Sequence, residues 1–159
     1  MQKLNVEFKT RLPELSAIRE RLKTLNPRLV GTDRQRDTYF EVPEGRLKLR
    51  EGNIENALIF YRRSNDAAVR ESLVELVPVR EPLELQRLLR AALPQIGIVE
   101  KDREIYFVGE TKIHLDTVRN HGCFLEVEAP NPKDAAFFLE FFGLKTSDLE
   151  GRSYIDLVS

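Results

Sequence analysis

The sequence is poor in the features that would settle its class at a glance. It has one cysteine in 159 residues, which excludes an intrachain disulfide and any multi-cysteine zinc site. No apolar run approaches the roughly 18–20 residues that a membrane span needs. The opening segment MQKLNVEFKTR lacks the apolar core of a secretory signal. Low-complexity tracts, internal repeats and Gly/Ser linkers are missing too. An excess of one charge is also missing. Lys and Arg number 25 and Asp and Glu 26, a formal net charge of -1, which argues against a general nucleic-acid coat. These absences leave one soluble cytoplasmic domain, residues 1–159, long enough to bury a core without staples. The charge is nonetheless plentiful, at 32% of residues against a usual quarter, so the question is where it sits.

The chain alternates runs of strands with isolated helices. Leu4, Val6 and Phe8 alternate with Asn5, Glu7, Lys9 and Arg11, the period of a strand. Pro13 opens a helix with Leu15, Ile18, Leu22 and Leu25 on one side, closed by Asn26-Pro27. Strands are expected at 34–42, 46–50, 57–63 and 69–79. Pro82 opens a second helix carrying Leu85, Leu88, Leu89 and Ala92. Strands follow at 98–108, 111–118 and 123–129, with turns at Gly109-Glu110 and Asn120-His121-Gly122. Asn131-Pro132 starts a third helix whose Phe137, Phe138, Phe141 and Phe142 read as core, and Gly143 ends it. Runs of strands joined by tight turns imply antiparallel pairing and an α+β fold.

Strand side chains alternate between two faces. One face collects Glu7, Lys9 and Arg11; Arg46, Lys48 and Arg50; Lys101 and Arg103; Lys112, His114 and Asp116; and Glu126 and Glu128 beside Phe124. The other face is oily. Periodicity alone is satisfied by an open sheet with helices on its oily face and water on its charged face. That open sheet is the plainer reading of the periodicity; the sharper one is a sheet curled so that the charges line a channel. Such a channel suits a polyanion carried with divalent metal: Lys and Arg donate charge-assisted hydrogen bonds to phosphate, and carboxylates hold Mg²⁺ or Mn²⁺. No GxxxxGK[ST] loop and no GxGxxG is present. His114 and His121 lack zinc spacing, and Cys123 falls on the apolar face of its strand.

The residues resemble the CYTH superfamily, also called triphosphate tunnel metalloenzymes, and within it the class IV adenylyl cyclases. The resemblance rests on Asn5-Val6-Glu7-Phe8-Lys9, similar to the family's ExExK strand, and on Asp37-Thr38-Tyr39-Phe40, similar to its DTYF-type strand. It continues through Leu49-Arg50-Glu51, Arg63, Lys101-Asp102-Arg103, His114-Leu115-Asp116, Phe124-Leu125-Glu126-Val127-Glu128 and Arg152-Ser153-Tyr154. It implies a closed antiparallel β-tunnel of about eight strands with helices packed outside. Lys9, Arg50, Arg63, Lys101 and Arg103 would grip the triphosphate, joined by Arg46 and Lys48, with Arg70 a further candidate. Glu7, Glu126 and Glu128 would hold Mg²⁺ or Mn²⁺, and Asp116 would either ligate metal or orient a bound base. The implied reaction is ATP to cyclic AMP and pyrophosphate. Thiamine or inorganic triphosphate hydrolysis, or binding without turnover, are the alternatives. The implied partners are the triphosphate and a second copy of the chain, with neither membrane nor nucleic acid. The sequence departs from the family motif at Asn5, which stands where the motif has a first Glu.

Overall fold

Alternation sorts the side chains of eight strands onto two faces, and pairing of the first strand with both the fifth and the eighth closes the sheet into a tube. In the computed structural model, which describes residues 1–64, 66 and 68–158, the strands are β1 (Gln2–Leu12), β2 (Arg28–Phe40), β3 (Arg46–Glu51), β4 (Ala57–Arg62), β5 (Arg70–Pro78), β6 (Gln95–Val108), β7 (Thr111–Val118) and β8 (Gly122–Ala129). They close in the order β1-β5-β4-β3-β2-β6-β7-β8, every neighbouring pair antiparallel. β1 is the closing strand: Glu7 faces Arg70 of β5 on one side and Glu128 of β8 on the other. Closure leaves no sheet edge. The open-sheet alternative is thereby overturned, and the charged face of the strands is the inner face of a barrel.

The oily face lies outside, under helices. α1 (Ser16–Lys23) and α3 (Pro132–Phe141) cover Phe8, Ile113, Leu115, Leu125 and Val127, with Leu22, Phe138 and Phe142 completing that core. Asn131 caps α3 by accepting from the Asp134 amide at 2.8 Å, and Pro132 fills the first turn. Of the four phenylalanines expected in the core, Phe137 faces solvent at 51% exposure. α2 (Pro82–Ala92) covers Phe40 and Leu49 through Leu89.

Two long strands exceed their expected bounds. β2 starts at Arg28 because Gly31, at φ 149°, accommodates a register shift that keeps it paired to β6, and β6 starts at Gln95. A fourth helix, α4 (Tyr154–Val158), was not anticipated, being too short to show a period. It docks on β6 where Gly97 lacks a side chain; a Cβ there would lie 2.6 Å from Ile155 Cδ1. No helix of the described residues is long and apolar enough to cross a membrane.

Candidate functional site: a charged tunnel

The register places inward side chains in rows that run across strands. One row is Tyr39, Lys48, Ile59 and Leu76; the next is Arg46, Tyr61, Val74 and Lys3. Further round come Arg70, Glu7, Glu128 and Lys112, then Lys9, Glu126 and His114, then Arg103 and Asp116. They enclose a cavity of about 280 Å³. Of the expected phosphate grips, Lys9, Lys48, Arg50, Arg63 and Arg103 line it. Lys101, on the same inner face as Arg103, does not line it and is fully buried against Asp37. Arg46 stands at a smaller side cavity with Gly45, Tyr61, Arg63 and Ser153, and pairs with Asp156 at 2.9 Å. Arg70 is 7% exposed and donates from Nη1 to the Asp66 carbonyl at 2.9 Å.

Two buried carboxylates organise the bases. Asp37, 0% exposed, accepts from Arg50 Nε and Nη2 at 2.9 and 2.8 Å and from Lys101 Nζ at 2.9 Å, with Lys48 Nζ 3.0 Å away. Burial pushes its carboxyl up, but Arg50, Lys101 and Lys48 outweigh that and hold it well below the usual range. Asp116 holds Arg103 bidentately, both bonds 2.8 Å, and takes the Tyr154 hydroxyl at 2.6 Å. Of the two roles open to Asp116, its contacts are those of an orienter: both oxygens are taken by Arg103 and Tyr154. Tyr154 also lies under Lys9, whose Nζ sits 4.3 Å from the ring centroid and donates to the Arg152 carbonyl.

The acids gather on β1, β7 and β8. One ligand atom each from His114, Glu126 and Glu128 falls within 4.8 Å of the others. His114 Nδ1 is 3.2 Å from Glu126 Oε1, and burial lowers its pKa to about 4, so the ring is neutral and able to ligate. Burial, with Glu126 and Glu7 nearby, pushes the Glu128 carboxyl up to about 7. Burial first, and then Glu126, raise Glu7 too, although Arg63 pairs with it at 2.9 Å. Asn5, 4% exposed and two positions from Glu7 on the same face, has a buried Oδ1 without a hydrogen-bond partner among the described residues. Burial pushes the Glu126 carboxyl up as well, but Arg103, 3.6 Å away, and His114 outweigh it and hold that group well below the usual carboxylate range. Crowded carboxylates and an orphaned amide oxygen are a donor set of oxygens plus one imidazole that fits a divalent cation.

The bases show the complementary deficit. Arg63 Nε and Arg70 Nε and Nη2 are buried without hydrogen-bond partners among the described residues, and burial with Arg63 alongside lowers the pKa of Arg70. Buried guanidinium donors are costly to leave unpaired, and phosphate or carboxylate oxygens are the groups that would satisfy them. Asp37, His114 and Tyr154 stand in the motifs that carry the family resemblance, but the sequence alone assigns them no role of their own. Alternation along β2 and β7 turns Asp37 and His114 inward, whereas Tyr154 is brought in by the docking of α4.

Residues 3–149 match the profile of the CYTH domain. Adenylate cyclase CyaB of Aeromonas hydrophila is 28% identical over 172 aligned positions, which cover 96% of this chain and 87% of that protein. The solved PH1012 protein of Pyrococcus horikoshii OT3 superposes with a TM-score of 0.85 at 25% identity, over 98% of this chain and 99% of that one. A Hippeastrum protein with a dominant triphosphatase activity has the same fold, with a TM-score of 0.67 at 17% identity over 94% and 91% of the two chains.

Proposed function

Because the chain belongs to the CYTH domain family, we propose that its tunnel takes a triphosphate together with Mg²⁺ or Mn²⁺ and converts ATP to cyclic AMP and pyrophosphate. The observation that carries this reading is one closed wall on which buried cations with unpaired donors face a cluster of crowded acids. The choice of cyclisation is supported by the similarity to adenylate cyclase CyaB. We place the reaction in the cytoplasm and assign it to the whole chain as one domain, with a homodimer as its assembled form.

In this reading Lys9, Lys48, Arg50, Arg63, Arg70 and Arg103 grip the phosphate oxygens, with Lys101 supporting them through Asp37 and Arg46 from the side cavity. Asp37 and Asp116 keep Arg50 and Arg103 aimed, so little reorganisation is needed when the ligand enters. Glu126, Glu128 and His114, with Glu7 and Asn5, would hold the metal, which neutralises phosphate charge. The ribose 3′-hydroxyl oxygen forms a bond to the α-phosphorus, the bond from that phosphorus to the bridging oxygen breaks, and pyrophosphate leaves. The hydroxyl proton passes to solvent.

Asn5 favours a second reading, binding without turnover, because an amide supplies one negative charge fewer to the acid cluster, and the Hippeastrum neighbour keeps thiamine or inorganic triphosphate hydrolysis as a further alternative. Incubation with ATP, thiamine triphosphate or tripolyphosphate and either metal, followed by product identification, tests the choice. Cyclic AMP with pyrophosphate is expected. Orthophosphate would select a triphosphatase, and tight binding without product a binding module.

A further inference from the structure

The tunnel wall is charged on six of its strands and uncharged on the other two for most of their length. The inward positions of β4 are Ala57, Ile59 and Tyr61, and those of β5 beyond Arg70 are Ser72, Val74 and Leu76. Ile59 stands directly across from Leu76, and Tyr61 from Val74. Ile59 is 5% exposed, while Val74 and Leu76 are only half-buried and still face the cavity. On its other side Ile59 neighbours Lys48, so this apolar ledge begins where the phosphate grips end. A bare polyphosphate gains nothing from such a wall, since charged oxygens against Ile, Val and Leu forfeit hydration without a partner. A flat apolar group attached to the phosphates gains from it.

We propose that Ile59, Val74 and Leu76, edged by Tyr61, form the subsite for the heterocycle of a nucleoside triphosphate, a neutral ring seated against β4 and β5. The inference rests on the reading of the tunnel as a triphosphate site and assigns the part of the ligand that the cations cannot recognise. Neutrality follows from the rim: Lys3 pairs across from Val74 and lines the same cavity, and an ammonium beside the ledge disfavours a cationic ring such as thiazolium. Among the described residues, β4 and β5 add only the hydroxyls of Ser72 and Tyr61 to this ledge, too few to match one base, so it selects for a planar apolar face and discriminates weakly among bases.

The test is calorimetric titration of ATP, thiamine triphosphate and inorganic tripolyphosphate, each with Mg²⁺, into wild type, Leu76→Ala and Val74→Thr. The second variant keeps the side-chain volume, so the wall can be tested if the first fails to fold. ATP is expected to bind more tightly than the other two, and each variant to weaken ATP by about tenfold, the scale set by losing part of an apolar pocket, with tripolyphosphate unchanged. Tripolyphosphate binding as tightly as ATP, or weakened equally by the variants, would overturn the subsite while leaving the triphosphate site standing. Thiamine triphosphate binding as tightly as ATP would overturn the neutral-ring assignment. If none of the three binds, the triphosphate reading itself fails, and the subsite with it.

Discussion

Asp37 shows how a single residue sets the properties of its surroundings. One carboxylate serves Arg50, Lys101 and Lys48, and Glu55 takes the remaining side of Arg50 at 2.6 Å, so Lys101 shares Asp37 with two competing cations. Burial, only partly offset by Asp37 and reinforced by Arg50, Arg103 and Lys48, lowers the Lys101 pKa from 10.5 to about 7. Between those two values the unfolded chain holds a proton on Lys101 that the folded chain has released, so the stability linked to this residue rises with pH across that window. Tyr154 adds only its ring face, 5.4 Å from Nζ. Lys101→Met should remove the rise: denaturant midpoints for wild type and variant, followed from about pH 7 upward, should diverge in favour of wild type as pH increases. Asn5 is a second residue with a measurable consequence. Asn5→Glu should tighten Mg²⁺ or Mn²⁺ binding several-fold, because a carboxylate attracts a divalent ion roughly twice as strongly as a unit charge. A metal titration of the nucleotide-free protein reads this directly, and unchanged affinity would mean that residue 5 does not reach the metal. The alternation of β1 made Asn5, Glu7 and Lys9 legible in the sequence. Asp37 was legible as part of a strand but not as the hub of three cations, since its partners come from β3 and β6.

At the level of elements, the helices differ in how far they announce themselves. The apolar spacing of α2 is plain in the sequence, yet only part of its stripe is buried: Leu89 is 7% exposed and Leu88 is 62% exposed. Leu85 and Leu89 lie within one narrow sector against β3, and Leu88 falls to its flank. Leu89→Ala should therefore cost about 2–5 kcal/mol, and Leu88→Ala within about 0.5 kcal/mol of nothing, by urea denaturation. α4 is the opposite case. Five residues show no period, and its effect comes from where it docks. Its Tyr154 hydroxyl completes Asp116, which in turn aims Arg103. Tyr154→Phe keeps the ring beneath Lys9 and removes only that bond. The expected loss is about 1.5–3 kcal/mol, the range for a hydrogen bond to a charged group, again by denaturant titration.

Across the whole molecule, closure turns a one-sided sheet into a confined electrostatic site. Alternating charge fixed which face is which, but it could not distinguish an open sheet from a tube. That decision lies in the pairing of β1 with β5 and β8, contacts between segments far apart in sequence. The family resemblance supplied it where periodicity could not. Confinement has a consequence in solution. Buried charges are screened less than exposed ones, so binding should depend on how many phosphates fill the tunnel more than on salt. ATP should bind far more tightly than AMP, and its affinity should fall less between low and physiological salt than that of an exposed basic patch. Titrations at two ionic strengths measure both, and equal affinity for ATP and AMP would contradict the site.

Closure by the first strand also bears on how the protein is made. Lys9 and Glu7 leave the ribosome early, but their partners Glu126 and Glu128 are on the last strand of the barrel. Until β8 is synthesised, β1 can pair only with β5, and the inner charges face water along an unsealed seam. Long-range pairing of this kind is slow, since the connecting chain must be ordered before the contact is gained. A nascent chain stalled before β8 therefore displays most of the phosphate grips and has no chamber in which to use them.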